Sequence, residues 1–429
     1  MRFRLFGMAL VLALVSCPHG IAQGPPSLEF SFSNPGARSM GFGGAFVALA
    51  DDATAAFANP AGLQQLVRPE VSLELRRWSY DTPYTAGGRV SGEPTEFGID
   101  TTTALRFGVS SEATTGISFV SFVQPLGKWT IAVYPHQLAK FQSDILTGGF
   151  FEAVPDGTFR EFDQRVMTSL DLETSGFSTT YRVSDRFSAG VGLSYMEGAL
   201  LFTTGNYFPD GFFDEPVYRP QNQLSQTVVE FDDSDWGLTA GFLWQISSHW
   251  RIGGACRQGP AFKGNASVYA GALLEPETPA GTLLESISGT PIAFPDVYGV
   301  GAVFQSESLT VSLEWTHVEY STIVESLDPE QFDDLPVVDD ADELHVGFEY
   351  VFLRPDPVIA LRLGSWLDPD HRFRADGGGA VFQAFFQPGD DEVHVAAGLG
   401  LAWRSFQLDI AVDRSDLVDT SSLSAIYRF

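Results

Sequence analysis

From Pro69 to the end of the chain, apolar side chains return at every second position, the period of a strand with two unlike faces. Phe187, Ala189, Val191, Leu193 and Tyr195 alternate with Ser188, Gly190, Gly192, Ser194 and Met196. Trp236, Leu238, Ala240, Phe242 and Trp244 alternate with Gly237, Thr239, Gly241, Leu243 and Gln245, and Leu309 to Thr316, Val393 to Trp403 and Phe406 to Asp413 behave alike. Short turns at 126–128, 184–186, 247–249, 306–308, 354–356 and 403–405 separate longer polar segments at about 80–113, 143–164, 205–222, 270–294, 322–340 and 370–390. Tight turns at one end and long loops at the other are the rhythm of a membrane barrel. Counting hairpins predicts 14 strands, beginning near Val71, Thr115, Trp129, Arg165, Arg186, Thr227, Trp250, Val297, Thr310, Glu343, Val358, Val393, Phe406 and Ser421. The second of these, Ile117 to Val123, alternates poorly.

A secreted β-sandwich or propeller would also alternate, but sandwich faces meet in a common core and propellers repeat a blade motif, which is absent here. The apolar face is rich in Phe, Trp and Leu, and the opposite face carries charge: Arg251, Arg257, Arg362 and Arg428 against Glu314, Glu349, Asp409 and Asp413. In a closed sheet these charges fall in a lumen crossed by ion pairs, while lipid solvates the other face. We therefore expect an all-β transmembrane barrel of about 14 antiparallel strands. With 54 Asp and Glu against 25 Lys and Arg, the chain is too acidic for a nucleic-acid partner.

The chain starts with the marks of export. Arg2 and Arg4 precede an apolar run from Leu5 to Val15, and Gly20-Ile21-Ala22 offers small residues for cleavage before Gln23, giving a signal peptide over 1–22. Leu14-Val15-Ser16-Cys17 also resembles a lipobox, which would leave Cys17 as a lipidated N-terminus. Residues 23–67 do not alternate and consist of small residues punctuated by Phe. A short helix within Ala45 to Ala58 is expected to stop before Asn59-Pro60, because the residue before Pro resists helical geometry. This segment reads either as a plug inside the barrel formed by 68–429 or as a periplasmic tail. The last residues, Ala425-Ile426-Tyr427-Arg428-Phe429, end in the terminal Phe of bacterial outer-membrane barrels.

At these residues the chain resembles the FadL-type family of outer-membrane transporters for long-chain fatty acids and toluene. The most specific stretch is GFGGAFVALADDATAAFANPAGL (41–63), in which Asn59-Pro60-Ala61 matches the family's hatch motif. DWGLTAGFLWQISSHWRIGGACRQG (235–259), FPDVYGVGAVF (294–304) and LTVSLEWTHVEYS (309–321) are similar to the family's middle strands. The resemblance implies a 14-stranded barrel with an N-terminal hatch, here bearing Phe42, Phe46, Phe57, Asn59, Pro60 and Ala61. It also implies passive uptake of hydrophobic small molecules: a ligand rests in an outer groove, passes the hatch, and leaves sideways through a kink in the third strand. In the predicted third strand, Tyr134-Pro135-His136 breaks the apolar run. Pro135 has no N–H for the ladder, so it marks either that kink or a strand end. Phe150 and Phe151 in one outer loop, and Phe208, Phe212 and Phe213 in the next, are candidates for the groove; packing of the two loops as a lid is the other reading.

Familiar catalytic signatures are missing: no Gly-x-Ser-x-Gly, phosphate-binding loop, His-Glu-x-x-His or Cys-x-x-Cys occurs. Arg251 and Arg257 could meet a ligand carboxylate or bridge to lumen acids, and we favour the latter. His345 and His394 are expected on inner faces as satisfied lumen residues, and the acidic run 328–343 as a solvated outer loop. The expected protein is thus a monomeric, multi-pass transporter of the bacterial outer membrane, in contact with lipid and a hydrophobic ligand, with no catalytic residue, cofactor or metal. The competing class is a barrel acting as partner or shuttle in protein secretion, since its hatch-bearing members share GARSMGFGGAFVALADDA (36–53).

Overall fold

The computed structural model describes residues 32–155, 157–208, 218–272, 279–327 and 336–429. The signal read over 1–22, Cys17, Phe212 and Phe213 lie outside them.

The alternating segments close into one antiparallel barrel. In chain order they are β1 (Glu70–Arg89), β2 (Leu105–Leu126), β3 (Trp129–Val154), β4 (Gly157–Arg160), β5 (Asp163–Ser184), β6 (Phe187–Tyr207), β7 (Gln223–Gln245), β8 (Trp250–Arg257) and β9 (Ala261–Ala270). They continue with β10 (Leu283–Ala293), β11 (Val297–Gln305), β12 (Leu309–Val318), β13 (Ala341–Phe352), β14 (Val358–Asp368), β15 (Glu392–Ala402), β16 (Phe406–Arg414) and β17 (Val418–Arg428). β8 and β9 form one wall strand interrupted at 258–260, β10 and β11 another interrupted at 294–296, and β4 is a short return arm on β3. The wall therefore has 14 strands. β17 pairs back onto β1 from Glu70↔Arg428 to Tyr80↔Val418, so no sheet edge remains.

Side-chain parity decides which face is which. Val191, Leu193, Trp236, Leu238, Leu363 and Val395 point outward and are exposed, while Ser188, Ser194, Thr239 and Ala396 between them are buried within. An exposed apolar belt around the whole circumference is far larger than a water-soluble monomer tolerates, and lipid is the solvent that suits it. No helix among the described residues is long and apolar enough to cross a membrane.

Strand starts agree with the alternation except above the belt. β2 begins at Leu105, not near Thr115, and β1 and β3 run on to Arg89 and Val154. There the ladders run on into stretches read as outer loops: Leu105, Phe107 and Val109 still alternate with Arg106, Gly108 and Ser110, and they pair with β1 up to Gly88. Phe150 and Phe151 consequently sit on β3 and not in a loop. The poor alternation of 117–123 has its cause in a register shift opposite Glu74 and Leu75, which leaves Ser118 unpaired and both Ser118 and Phe119 buried.

Residues 32–66 pack inside the barrel. They hold α1 (Ala37–Gly41), α2 (Ala55–Ala58) and a 3₁₀ turn over Pro60–Gln65. The helix expected within Ala45 to Ala58 is thus one turn long, and the chain before it bends through Gly43, Gly44 and Ala50, all at positive φ. Glycines on the inner wall let this backbone approach: a Cβ on Gly190 would stand 2.5 Å from Ala61 N, and one on Gly364 would meet Gly43 N. Polar wall residues satisfy its backbone. Arg251 donates to Ala48 O (2.8 Å) and Leu49 O (3.2 Å), Glu314 accepts from Val47 N (2.7 Å), and Ser178 and Ser188 donate to Ala56 O (2.6 Å) and Ala61 O (2.9 Å).

Ion pairs line the lumen between nearby wall strands, and one reaches the wall from the inner segment. Arg362 lies between Glu349 (2.8 Å) and Asp409 (2.7 Å), Arg428 meets Glu70 (2.8 Å), and Arg38 of the inner segment bridges Asp51 and Glu349. The expectation that Arg251 and Arg257 also bridge to lumen acids is corrected, because the structure gives both to backbone carbonyls of the inner segment. Once that backbone fills the lumen, its unpaired carbonyls are the nearer acceptors.

Candidate functional site

All six residues of the expected hatch are fully or almost fully buried: Phe42, Phe46, Phe57, Asn59, Pro60 and Ala61. Asn59 joins three pieces of backbone. Its amide donates to Val47 O (2.9 Å) and to Phe242 O on β7 (3.1 Å), and its carbonyl oxygen accepts from Ala61 N (3.1 Å), capping the 3₁₀ turn with Pro60 at its first position. Phe57 meets the wall at the third strand. Its ring lies edge-on to His136 (4.5 Å between centroids) and Tyr134 (6.1 Å), and the Arg257 guanidinium covers it at 4.1 Å.

Beside Phe57 the wall is discontinuous. β2 and β3 pair from Leu126↔Trp129 to Phe122↔Val133, skip Tyr134 and Pro135, pair once more at Phe119↔His136, and then stop. Both strands continue upward, β3 on β5 and β2 on β1, without further ladder pairs between them. Above His136 a side-chain bond crosses this seam, from Asp144 N to Ser110 Oγ (3.1 Å). Pro135 is mid-strand with its side chain exposed, so the strand-end reading does not hold. The irregularity itself comes slightly later, as a bulge between Gln137 and Ala139 opposite β5 that buries both Leu138 and Ala139. Gln137 staples it through Asp171 Oδ1 (2.7 Å), Leu172 O (3.0 Å) and Ala139 O (3.0 Å). At its inner side the seam is lined by Phe119, stacked on Tyr134 (5.7 Å), and by His136, whose Nδ1 lies 2.8 Å from Ser118 O.

Three cavities adjoin the inner segment, one of them about 10 Å³ beside Arg38, Asp52 and Glu74. Another of about 10 Å³ lies among Phe57, Leu138, Met196 and the wall interruption at Gln258, Gly259 and Pro260. A larger one of about 90 Å³ lies between Met40 and Val47 of the inner segment and a polar stretch of wall. Phe32, Thr239 and Arg257 line both of the latter. Arg257 donates to Phe32 O (3.3 Å) and has no ion pair with a described carboxylate. His345 and His394 face the larger cavity from the inner wall with Trp366 between them. Of this group, sequence reading marked the two histidines and Asp413 as inner-face residues but not their meeting with Trp366, because β13, β14, β15 and β16 bring them together across 68 residues of chain.

The outer aromatic candidates do not assemble. Phe150 packs edge-on against Phe385 (4.5 Å) on α4, the last helix described (Ala380–Phe385), whereas Phe151 lies between the guanidinium groups of Arg89 (5.4 Å) and Arg160 (5.6 Å). Phe208 is half exposed beside Phe162 (6.3 Å). Of the acidic run, 328–335 lies outside the described residues; Asp339 pairs with Arg374 (2.8 Å), and Asp342 lies 2.9 Å from His317 Nδ1. The hydrogen bond that Arg374 donates to Asp339 raises the Arg374 guanidinium above its ordinary value.

No family model and no curated protein matches the sequence. Solved structures match over nearly the whole chain. A Pseudomonas aeruginosa FadL homologue superimposes with a TM-score of 0.65 at 15% identity, covering 94% of this chain and 100% of its own. The Ralstonia pickettii toluene transporter TbuX gives 0.56 at 16% identity, covering 93% and 100%. The P. putida toluene transporter TodX gives 0.57 at 12% identity, covering 93% and 99%. A closed wall of 14 strands around a folded N-terminal segment, shared end to end with these structures, gives the chain the FadL-type barrel fold.

Proposed function

We propose that the chain is a channel of the bacterial outer membrane that lets hydrophobic small molecules cross by diffusion. Residues 32–66 act as its hatch, and the exit is sideways, between β2 and β3. The observation that carries this reading is the β2–β3 ladder, which ends at Phe119↔His136 although both strands continue. A barrel wall without ladder bonds is the place where strands separate at least cost. Phe57 closes the inner side of that seam, with Phe119, Tyr134 and Leu138 around it. A ligand leaving there passes from an aromatic lining into lipid without crossing water. The toluene transporters that share the fold support this class of ligand, and the larger cavity has the scale of a small molecule, not of a polypeptide.

The test is a lock across the seam. In a Cys256→Ser background, Ser110→Cys and Asp144→Cys put one thiol on each strand at residues in contact across the seam, where Asp144 N donates to Ser110 Oγ at 3.1 Å. Oxidation is expected to stop uptake of labelled toluene by cells that lack other hydrocarbon channels, and reduction to restore it. Uptake that ignores the lock would rule out the side exit.

A further inference from the structure

The larger cavity holds a cluster that the side exit does not use. Trp366 stacks on His394 at 3.9 Å between ring centroids and on His345 at 5.2 Å. Asp413 holds both partners of the first stack: Trp366 Nε1 donates to Oδ2 at 2.9 Å, and His394 Nδ1 lies 2.9 Å from Oδ1. A carboxylate at Nδ1 makes that nitrogen the donor, and in the neutral ring Nε2 then carries the lone pair. That nitrogen has no hydrogen-bond partner among the described residues, although His394 is only 4% exposed. The nearest acid, Asp368 Oδ2, stands 3.9 Å away, beyond hydrogen-bond reach. A buried acceptor left unfilled is costly, so this one selects for a donor.

The rest of the lining narrows the chemistry. Glu314, Glu343, Asp368 and Asp413 face the cavity against a single arginine, Arg257. An anion gains little there, because four carboxylates oppose it. Trp366 lines the cavity with its ring edge, since His345 and His394 stack on its two faces, and Met40 and Val47 close the other side. The volume is of the order of the engineered apolar cavity of about 150 Å³ that takes up benzene. Resting on the channel reading above, we propose that this cavity is a binding site for single-ring aromatic compounds that carry a hydrogen-bond donor, phenols and arylamines, with the donor group directed at His394 Nε2 and Asp368. Fatty acids and benzoates are excluded by the acids, and plain hydrocarbons pass without being held.

Calorimetric titration of the full-length mature chain in lipid nanodiscs, referenced to empty nanodiscs, tests this with a matched series. p-Cresol and p-toluidine donate a hydrogen bond, 4-methylanisole only accepts one, and toluene does neither. The two donors are expected to bind about tenfold tighter or better than toluene and the ether, the discrimination that a buried hydrogen-bonding group provides. His394→Leu and, independently, Asp368→Asn should shrink the ratio of donor to toluene affinity to within about threefold. Unchanged heat-modifiable gel mobility must show that each variant still forms the barrel. Two variants guard against a fold defect in either one. Toluene bound with no advantage for the donors, or an advantage that survives both substitutions, overturns the site and leaves the channel reading standing. Failure of every compound to bind, joined to toluene uptake that ignores the seam lock, removes both.

Discussion

Asn59 shows how one residue can tie the inner segment to the wall. Its side chain ties the 3₁₀ turn to Val47 O within the inner segment and to Phe242 O on β7. Asn59→Ala leaves two buried carbonyls and one amide without that partner. The expected loss is about 2 kcal/mol of local stability, which speeds hydrogen exchange at the Ala61 amide roughly thirtyfold. Barrel amides should not change, because the ladders do not pass through Asn59. Exchange that rises across β7 as well would mean that the inner segment and the wall are one cooperative unit. The Asn-Pro-Ala motif marked this residue in the sequence. Gln137 carried no such mark: its partners Asp171 and Leu172 come from the next strand, and the bulge it staples is visible only once β3 and β5 are paired.

At the scale of elements, alternation located most of the strands and missed the upper ends of β1, β2 and β3. In β2 the period is present, Leu105, Phe107 and Val109 against Arg106, Gly108 and Ser110, but it is short and set in a stretch read as a polar outer loop, so only its pairing with β1 identifies it as strand. The inner face was legible only as small or polar. Its further meaning, that glycines there are seats for another backbone, needed the packing. Gly190 on β6 receives Pro60 and Ala61 so closely that a side chain has no room. Gly190→Val should therefore expel the 3₁₀ turn from its seat, at a cost of about 1–3 kcal/mol, while β6 keeps its pairs. Limited proteolysis would show cleavage between 50 and 66 in the variant alone, with heat-modifiable mobility retained. Loss of that mobility would show instead that β6 itself cannot form.

For the whole molecule, charge and plug are linked. Glu70, Glu74, Glu314, Glu343, Glu349, Asp409 and Asp413 are buried on the inner wall with only Arg76, Arg251 and Arg362 buried among them at the same face. While residues 32–66 are in place, three of these groups are met by the inner segment, Glu349 by Arg38, Glu314 by Val47 N and Glu74 by Gly36 N, and the others by side chains of the wall. Deleting 32–66 removes those partners and leaves a wide lumen with excess negative charge. Wall strands close on themselves through β1 and β17 without the inner segment, so the deleted form is expected to remain a barrel. In planar bilayers the intact chain should show no steady conductance. The deleted form should show an ohmic one that prefers potassium over chloride several-fold, because a lumen lined by one sign of charge concentrates its counter-ion. The reversal potential across a potassium chloride gradient measures that preference, and high salt should reduce it as the charges are screened. An anion-selective pore would mean that the carboxylates are neutralised within the wall itself, and that the acidic lining of the larger cavity does not act on what enters it.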